Sequence, residues 1–470
     1  MRKTKIICTI GPACDDEAML KEMCLAGMNV ARLNFSHGTH QWHLKVINSI
    51  KKLRSELNLP IAIMLDTKGP ECRIGRFEEG KVYLNEGDEF TFTTEDVVGG
   101  QDRVGVSYEG LAEDMACGDT IFLNNGLVEL QVQKTEESEV ICKVMSGGEV
   151  SDRKSMSFPG KMLKQVYLSE ADKADMLFGI ENQVDFIACS FVSSRRDLID
   201  VRTFLDANGG EDIDLIAKIE NRTGVDSVDE IVLECDGIMV ARGDLGVEIP
   251  FAEIPAIQKK LITKCRLLGR RVIVATEMLE SMIINPRPTR AETSDVANAV
   301  YDGTSAVMLS AESASGKYPV EAVKTMAAIA EETEKNIDYL GMYKSSRFEI
   351  QNHLDAISHA TCGMAIDIGA RCIVACTNSG LTARMVSRFR SPTDIIGMTS
   401  NKRALYKLAL SWGVIPVLSE QFDSTDVLFY HARNAAQGLI EMNEGDYIVI
   451  TGGRIDGRSG NTNLIKVERF

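Results

Sequence analysis

The sequence predicts an α/β protein: a (β/α)8 TIM barrel interrupted by an inserted small all-β domain and followed by a C-terminal α/β domain with a mainly parallel sheet. Three observations predict it. Eight short apolar runs alternate with segments of helical periodicity. The alternation breaks once, after the third run, for a stretch of period-two patterns. A second, shorter βα series begins after a polar segment late in the chain. The division that follows is a barrel of residues 1–69 and 167–342, an insert of residues 70–166 and a C-terminal domain of residues 343–470.

The barrel strands are expected at residues 5–10, 29–33, 61–65, 185–189, 214–217, 237–241, 272–275 and 306–309. Such continuous apolar runs suit parallel strands covered on both faces. Helical periodicity fills the gaps at residues 17–26, 43–57 and 254–268. In NPRPTRAETSDVANAV, Pro286 and Pro288 block an earlier helix start, and Thr289 with Glu292 has capping-box spacing. The insert reads KVYLNEG, DEFTFTT, DTIFLNNG, LVELQVQK and SEVICKVMSGG, with turns at Asn124-Asn125-Gly126 and Gly147-Gly148. Placed after the third strand, it emerges at the rim where such barrels carry their sites and can serve as a lid. The segment GMYKSSRFEIQN reads as a polar linker, after which strands are expected at 372–376, 394–398, 413–418 and 447–451.

Bulk properties exclude several classes. The chain has 470 residues, 44% of them hydrophobic, enough for more than one core. A net charge of −16 argues against nonspecific binding to nucleic acid or anionic membranes, while leaving room for a locally basic phosphate site. The twelve cysteines form no C-x-x-C pair, which argues against zinc and for a reduced, cytoplasmic setting. No apolar run approaches the roughly 20 residues that span a bilayer, and MRKTKIICTIG is too short an apolar start for a signal peptide. The six histidines are scattered, so no catalytic histidine is expected.

The chemistry gathers where the apolar runs end. The second run leads into Arg32, Asn34 and Ser36, the third into Asp66, Thr67 and Glu71. The fifth leads into Lys218 and Glu220, the sixth into Arg242-Gly243-Asp244, the seventh into Thr276 and Glu277, the eighth into Ser310 and Glu312. Lys218, Glu220 and Asp244 taken alone fit structural ion pairs as well as a site. So many polar groups on one rim, with the other rim left bland, favour a site. Glu220 and Asp244 are hard oxygen ligands suited to Mg²⁺ or Mn²⁺, with water and substrate completing the shell. Lys218 can set an ammonium beside a phosphoryl group there, and Arg32 offers a fork for phosphate or carboxylate. Asn34, Ser36, Asp66 and Thr67 form an oxygen-only set with one formal charge, suited to a weakly held monovalent cation. Thr276, Ser310 and Glu312 could order a water for proton transfer or serve as structural hydrogen-bond partners.

These residues carry a family resemblance. The runs TKIICTIGPA, NVARLNFSHG, LDTKGPE, LIAKIEN, GIMVARGDLGVEIP, NPRPTRAE and LSAES, in this order, resemble pyruvate kinase, and the likeness extends over the whole chain. It implies transfer of the phosphoryl group of phosphoenolpyruvate to ADP, giving ATP and pyruvate, with Mg²⁺ (or Mn²⁺) and K⁺ as cofactors. Lys218, Arg32 and Thr276 then match catalytic positions, with Ala241, Gly243 and Asp244 among the substrate contacts. Glu220 and Asp244 match the divalent-metal ligands, and Asn34, Ser36, Asp66 and Thr67 the potassium ligands. Asn34, Arg73 and Lys154 match nucleotide contacts. Glu71 stands where a glutamate goes with potassium dependence in this family. A homotetramer is implied by the resemblance alone.

The resemblance also points to an effector pocket for a sugar phosphate or nucleotide, at Thr377, Ser379, Gly380 and Thr382 with Arg454 and Arg458. Glu277, Ala311, Ser193 and the stretch KSMSFPG depart from the family pattern; the last bears on Lys154. Two other functions share parts of the pattern: a barrel lyase acting on pyruvate enolate, and a metabolite sensor with an inactive barrel. The lyase leaves the insert and Arg73 without a task; the sensor leaves the filled rim without one.

Overall fold

The structure, a computed structural model, describes residues 2–421, 424–453 and 461–470. Eight parallel strands close into a barrel: Lys5–Thr9, Val30–Asn34, Ala62–Asp66, Phe186–Cys189, Asp214–Ile219, Gly237–Ala241, Arg271–Ala275 and Ala306–Leu309. The closing register sets Lys5 beside Ala306. Each strand lies within two residues of its expected run. Side chains alternate between the barrel interior, as Ile7, Met64, Ile216, Met239 and Ile273 do, and the layer under the helices, as Ile6, Ala31, Leu65, Ile187 and Val240 do. Burial on both faces is why these strands read as unbroken apolar runs.

Helix ends follow local chemistry. Glu17–Ala26 starts on the Asp16 side chain, which accepts from Met19 N–H, and stops at Gly27 with φ 119°. Thr289 and Glu292 form the expected capping box before Arg290–Tyr301.

The insert is all-β apart from one short helical turn, Leu111–Asp114. Six strands between Glu89 and Ser157 form one sheet, and Lys81–Leu84 pairs with Gly148–Ser151 beside it. Its own core centres on Phe90 and Phe92, packed edge to face at 5.4 Å.

In the C-terminal part, Val414–Leu418, Asp394–Thr399, Cys372–Cys376 and Tyr447–Gly453 run parallel, and Thr462–Arg469 adds an antiparallel edge. That edge strand was not expected. Its sequence, TNLIKVER, mixes charge into a half-exposed strand and so hides the period. The expected linker also needs correction. Tyr339–Ser345 is a helix, with the Asp338 side chain accepting from Gly341 N–H, and Phe348 packs edge to face on Phe389 at 4.5 Å. Capping and the aromatic anchor Phe348 order a segment whose composition looks polar.

A second correction concerns the barrel floor. The N-terminal rim is not bland: Lys5, Asp185, Asp214, Asp236 and Arg271 lie there. Their partners come largely from the C-terminal domain. Lys5 Nζ donates to the Val414 carbonyl at 2.7 Å, Asp214 accepts from Arg271 and Lys407 at 2.8 Å each, and Asp236 meets Arg384 at 3.0 Å. Arg54 binds Asp185 and stacks on Tyr406, 3.8 Å from the ring centre. Ala409 and Leu410, both buried, enter the barrel's interior core from below. Sequence shows these charges but not the domain that answers them. No helix among the described residues is long and apolar enough to cross a membrane.

Candidate functional site

The opposite rim holds a connected polar cluster. Lys218 is the fifth residue of its strand, not the first after it, and its side chain is almost fully buried. Its Nζ lies 3.1 Å from Asp66 Oδ1, 2.7 Å from Ser190 Oγ and 3.1 Å from Glu220 Oε1. Asp66 Oδ2 accepts from Arg32 Nε at 2.6 Å, and Arg32 Nη1 donates to Thr9 Oγ1 at 2.8 Å. Five strand ends are thereby tied into one buried network. Arg32 Nη2 has no protein partner among the described residues.

Charge balance decides which groups are ionised. Burial alone would pull Lys218 down, but Asp66 and then Glu220 lift it above the ordinary lysine value. Burial would raise Asp66, yet Arg32 and Lys218 hold it below the usual carboxylate range. Glu220 ends the other way. Burial pushes it up to about 7, Lys218 opposes this, and Asp244 adds to it. One Glu220 oxygen accepts Phe191 N–H at 2.6 Å. Phe191 has φ 56°, a conformation that non-glycine residues seldom adopt, and it aims that N–H at the carboxylate.

Asp244 lies in the first turn of the helix Arg242–Glu248 and is exposed. It shares with Glu220 a cleft of about 380 Å³, whose other wall comes from the insert through Glu71, Asn125, Ser155 and Phe158. Gly243 N–H donates to Thr276 Oγ1 at 2.7 Å, so two predicted substrate positions are joined directly. Thr276 and Glu277 have φ 68° and 53°, and Arg242 fastens this strained turn by donating to the Thr276 carbonyl.

The residues fit a divalent ion of the magnesium type. Among the described residues no cluster of three or more His, Cys, Asp or Glu could hold a metal on its own. Two carboxylates facing an open cleft suit an ion that keeps waters and shares phosphate oxygens. The monovalent set is also brought together. Asn34 and Asp66 are register partners, Asn34 Oδ1 accepts Ser36 N–H at 3.0 Å, and Thr67 Oγ1 accepts Ser190 N–H at 3.2 Å. Asp66 spends both oxygens on Arg32 and Lys218, so its free lone pairs are few.

Other expected residues fall as follows. Arg73 is in the insert, with Nε 2.8 Å from Glu71 Oε2 and Nη1 on the Arg153 carbonyl; Glu71 also accepts from Ser155 Oγ at 2.6 Å. The Lys154 carbonyl accepts from Ile74 N–H, and its ammonium has no hydrogen bond among the described residues. Glu312 is fully buried, with its oxygens accepting Leu279 N–H at 3.0 Å and Ser310 N–H at 2.7 Å. It clamps the loop after the seventh strand, as a structural partner would. Ser310 Oγ is buried with no hydrogen-bond partner. In the C-terminal domain, Thr377 Oγ1 accepts Gly380 N–H at 3.0 Å, and the Thr382 hydroxyl is buried against Thr462 at 2.7 Å. Ser379 sits in the same loop, and Arg454 and Arg458 lie outside the described residues.

Sequence reasoning missed Thr9 and Ser190. Ser190 bridges Lys218, Asp66 and Thr67, its Oγ donating to the Thr67 carbonyl at 2.6 Å. Its place directly after the fourth strand is the available signal.

Fold and site define a class: a (β/α)8-barrel enzyme in which a buried cation backs carboxylates that line a cleft roofed by an inserted domain. The family models named "Pyruvate kinase, barrel domain" and "Pyruvate kinase, alpha/beta domain" match residues 1–323 and 355–468. The chain is 45% identical to a pyruvate kinase of Clostridium acetobutylicum, over 100% of this chain and 99% of that one. It is 44% identical to one of Clostridium perfringens over all of both. A crystal structure of a pyruvate kinase from Cryptosporidium parvum superposes with TM-score 0.94 at 37% identity, covering 100% of this chain and 96% of that chain. The chain belongs to the pyruvate kinase family.

Proposed function

We propose that the protein transfers the phosphoryl group of phosphoenolpyruvate to ADP, leaving pyruvate once the enolate is protonated. The observation that carries this reading is Lys218, a buried ammonium kept charged by Asp66 and Glu220 beside a cleft that the insert roofs. An ammonium fixed in a water-poor site stabilises charge on phosphoryl oxygens without reorganising. Arg32 is held by Asp66 and Thr9 with Nη2 free to meet a phosphate or carboxylate. Thr276 and the Gly243 N–H lie side by side to orient the substrate. Glu220 and Asp244 would hold the divalent ion, which when bound screens charge between the two phosphoryl-bearing substrates. Asn34, Ser36, Asp66 and Thr67 would hold K⁺. Arg73 and Lys154 reach from the insert toward the nucleotide phosphates, with Asn34 on the barrel side. A coupled assay for ADP-dependent pyruvate formation tests the reading; no pyruvate under saturating substrates and Mg²⁺ would end it.

The same reading has the enzyme working in the cytoplasm as a homotetramer, with a phosphorylated effector at Thr377, Ser379, Gly380 and Thr382 together with Arg454 and Arg458. Sedimentation gives the mass, and a substrate saturation curve unmoved by sugar phosphates or nucleotides would remove the effector. With Glu71 already engaged by Arg73 and Ser155, no lysine supplies the missing cation at that position. Replacing K⁺ and Na⁺ with a large organic cation is expected to lower kcat at least ~10-fold, since one preorganised charge contributes about 10²–10³ in rate. Full turnover without either ion would remove the monovalent site.

A further inference from the structure

We infer that Glu248 is a positioning residue that latches the inserted domain to the helix carrying Asp244, so that roofing the cleft and placing the Asp244 carboxylate are one event. Two separate segments of the insert land on the last turn of the helix Arg242–Glu248. Phe158 donates its N–H to Glu248 Oε1 at 3.1 Å. The tip of the Asn124-Asn125-Gly126 turn rests on Val247, where a carbon added to Gly126 would lie 3.4 Å from Val247 Cγ1. Asp244 is one turn earlier on the same helix, and Asn125, Phe158, Asp244, Val247 and Glu248 all line the cleft.

Both ends of the latch are firmly built. Phe158 is buried and belongs to the core of the insert, so its N–H reports the position of that whole domain. On the barrel side the helix is pinned by Arg242, which donates to the Thr276 carbonyl and to Asp295, and by buried Leu245. A rigid helix with an acceptor at one end and a site carboxylate near the other transmits where the insert sits. The insert joins the barrel through two short connections. Gly69 has φ 69° just before Pro70, and the returning chain exposes Met162 and Val166 before Tyr167 anchors on the Ser190 carbonyl at 2.8 Å. Burial pushes the Glu248 carboxyl up to about 7, against the Phe158 N–H and helped by Asp244, so a neutral amide is a fair replacement for it.

This rests on the phosphoryl-transfer reading only for what the insert closes over. The test compares wild type, Glu248→Ala and Glu248→Gln by backbone hydrogen exchange over residues 155–161, and by steady-state kinetics for each substrate. Glu248→Ala is expected to exchange about tenfold faster there, the size of one lost hydrogen bond. Barrel strands should keep their protection. KM for ADP should rise about tenfold while KM for phosphoenolpyruvate stays within twofold, and Glu248→Gln should restore both the exchange rate and KM for ADP. Unchanged exchange in Glu248→Ala, loss of protection spreading into barrel strands, or Glu248→Gln behaving like Glu248→Ala would each overturn the latch. Wild-type protein that formed no pyruvate would end the kinase reading instead, leaving the exchange result to decide the latch.

Discussion

Replacing Lys218 by methionine is expected to cut pyruvate formation from phosphoenolpyruvate and ADP by roughly 10³-fold or more, the scale seen when one transition-state cation is removed. Methionine keeps the volume of the chain, so the loss isolates the charge. Lys218 is buried between two carboxylates, and breaking a buried ion pair costs about 3–5 kcal/mol when a partner is left uncompensated. Two features soften that cost here. Asp66 keeps Arg32, and Glu220, already raised by burial, can take up a proton. The variant is therefore expected to fold with a lower melting temperature that a divalent cation partly restores. Proton exchange at the methyl group of pyruvate, which places no demand on Nζ, should persist. A variant with near-full kinase turnover would show that the ammonium does something else.

Sequence carried most of the polar rim because the groups there are local. Lys218 and Glu220 sit two residues apart, and Asn34 and Ser36 likewise, so a strand end and its turn show the group directly. What the chain order concealed was the joining. Ser190 is unremarkable in sequence and becomes a bridge only when the fourth strand pairs with the third and fifth. Thr9 matters because the first strand neighbours the second. Glu312 reads equally as a residue that orders a water and as a structural partner, and in the fold it holds two backbone N–H groups, since a carboxylate three residues past a strand can fold back on its own turn and reach the neighbouring loop. Glu248 reads as one more surface acid until the insert is seen resting on it.

The barrel floor shows the same limit on a larger scale, and it yields the second large effect. Leu410→Ala is expected to destabilise the protein by about 2–5 kcal/mol, as large-to-small changes at fully buried sites do. Leu410 is fully buried among Ile7, Met64, Phe186, Ile216, Met239 and Ile273, residues of six different barrel strands, although it belongs to the C-terminal domain. The pairs of Lys407 with Asp214 and Arg384 with Asp236 surround that plug with charge. Asp214 begins the strand that carries Lys218, and Asp236 directly precedes the strand that leads to Asp244. A barrel completed from below by another domain cannot melt independently of it. Calorimetry should show barrel and C-terminal domain unfolding in one transition, with Leu410→Ala lowering that transition as a whole. Two separate transitions, with Leu410→Ala moving only one, would mean that the barrel holds its own floor. A single shifted transition would mean that catalytic rim and C-terminal domain share one core, so that any displacement of the helix bearing Arg384 is felt at the foot of the strands that place Lys218 and Asp244.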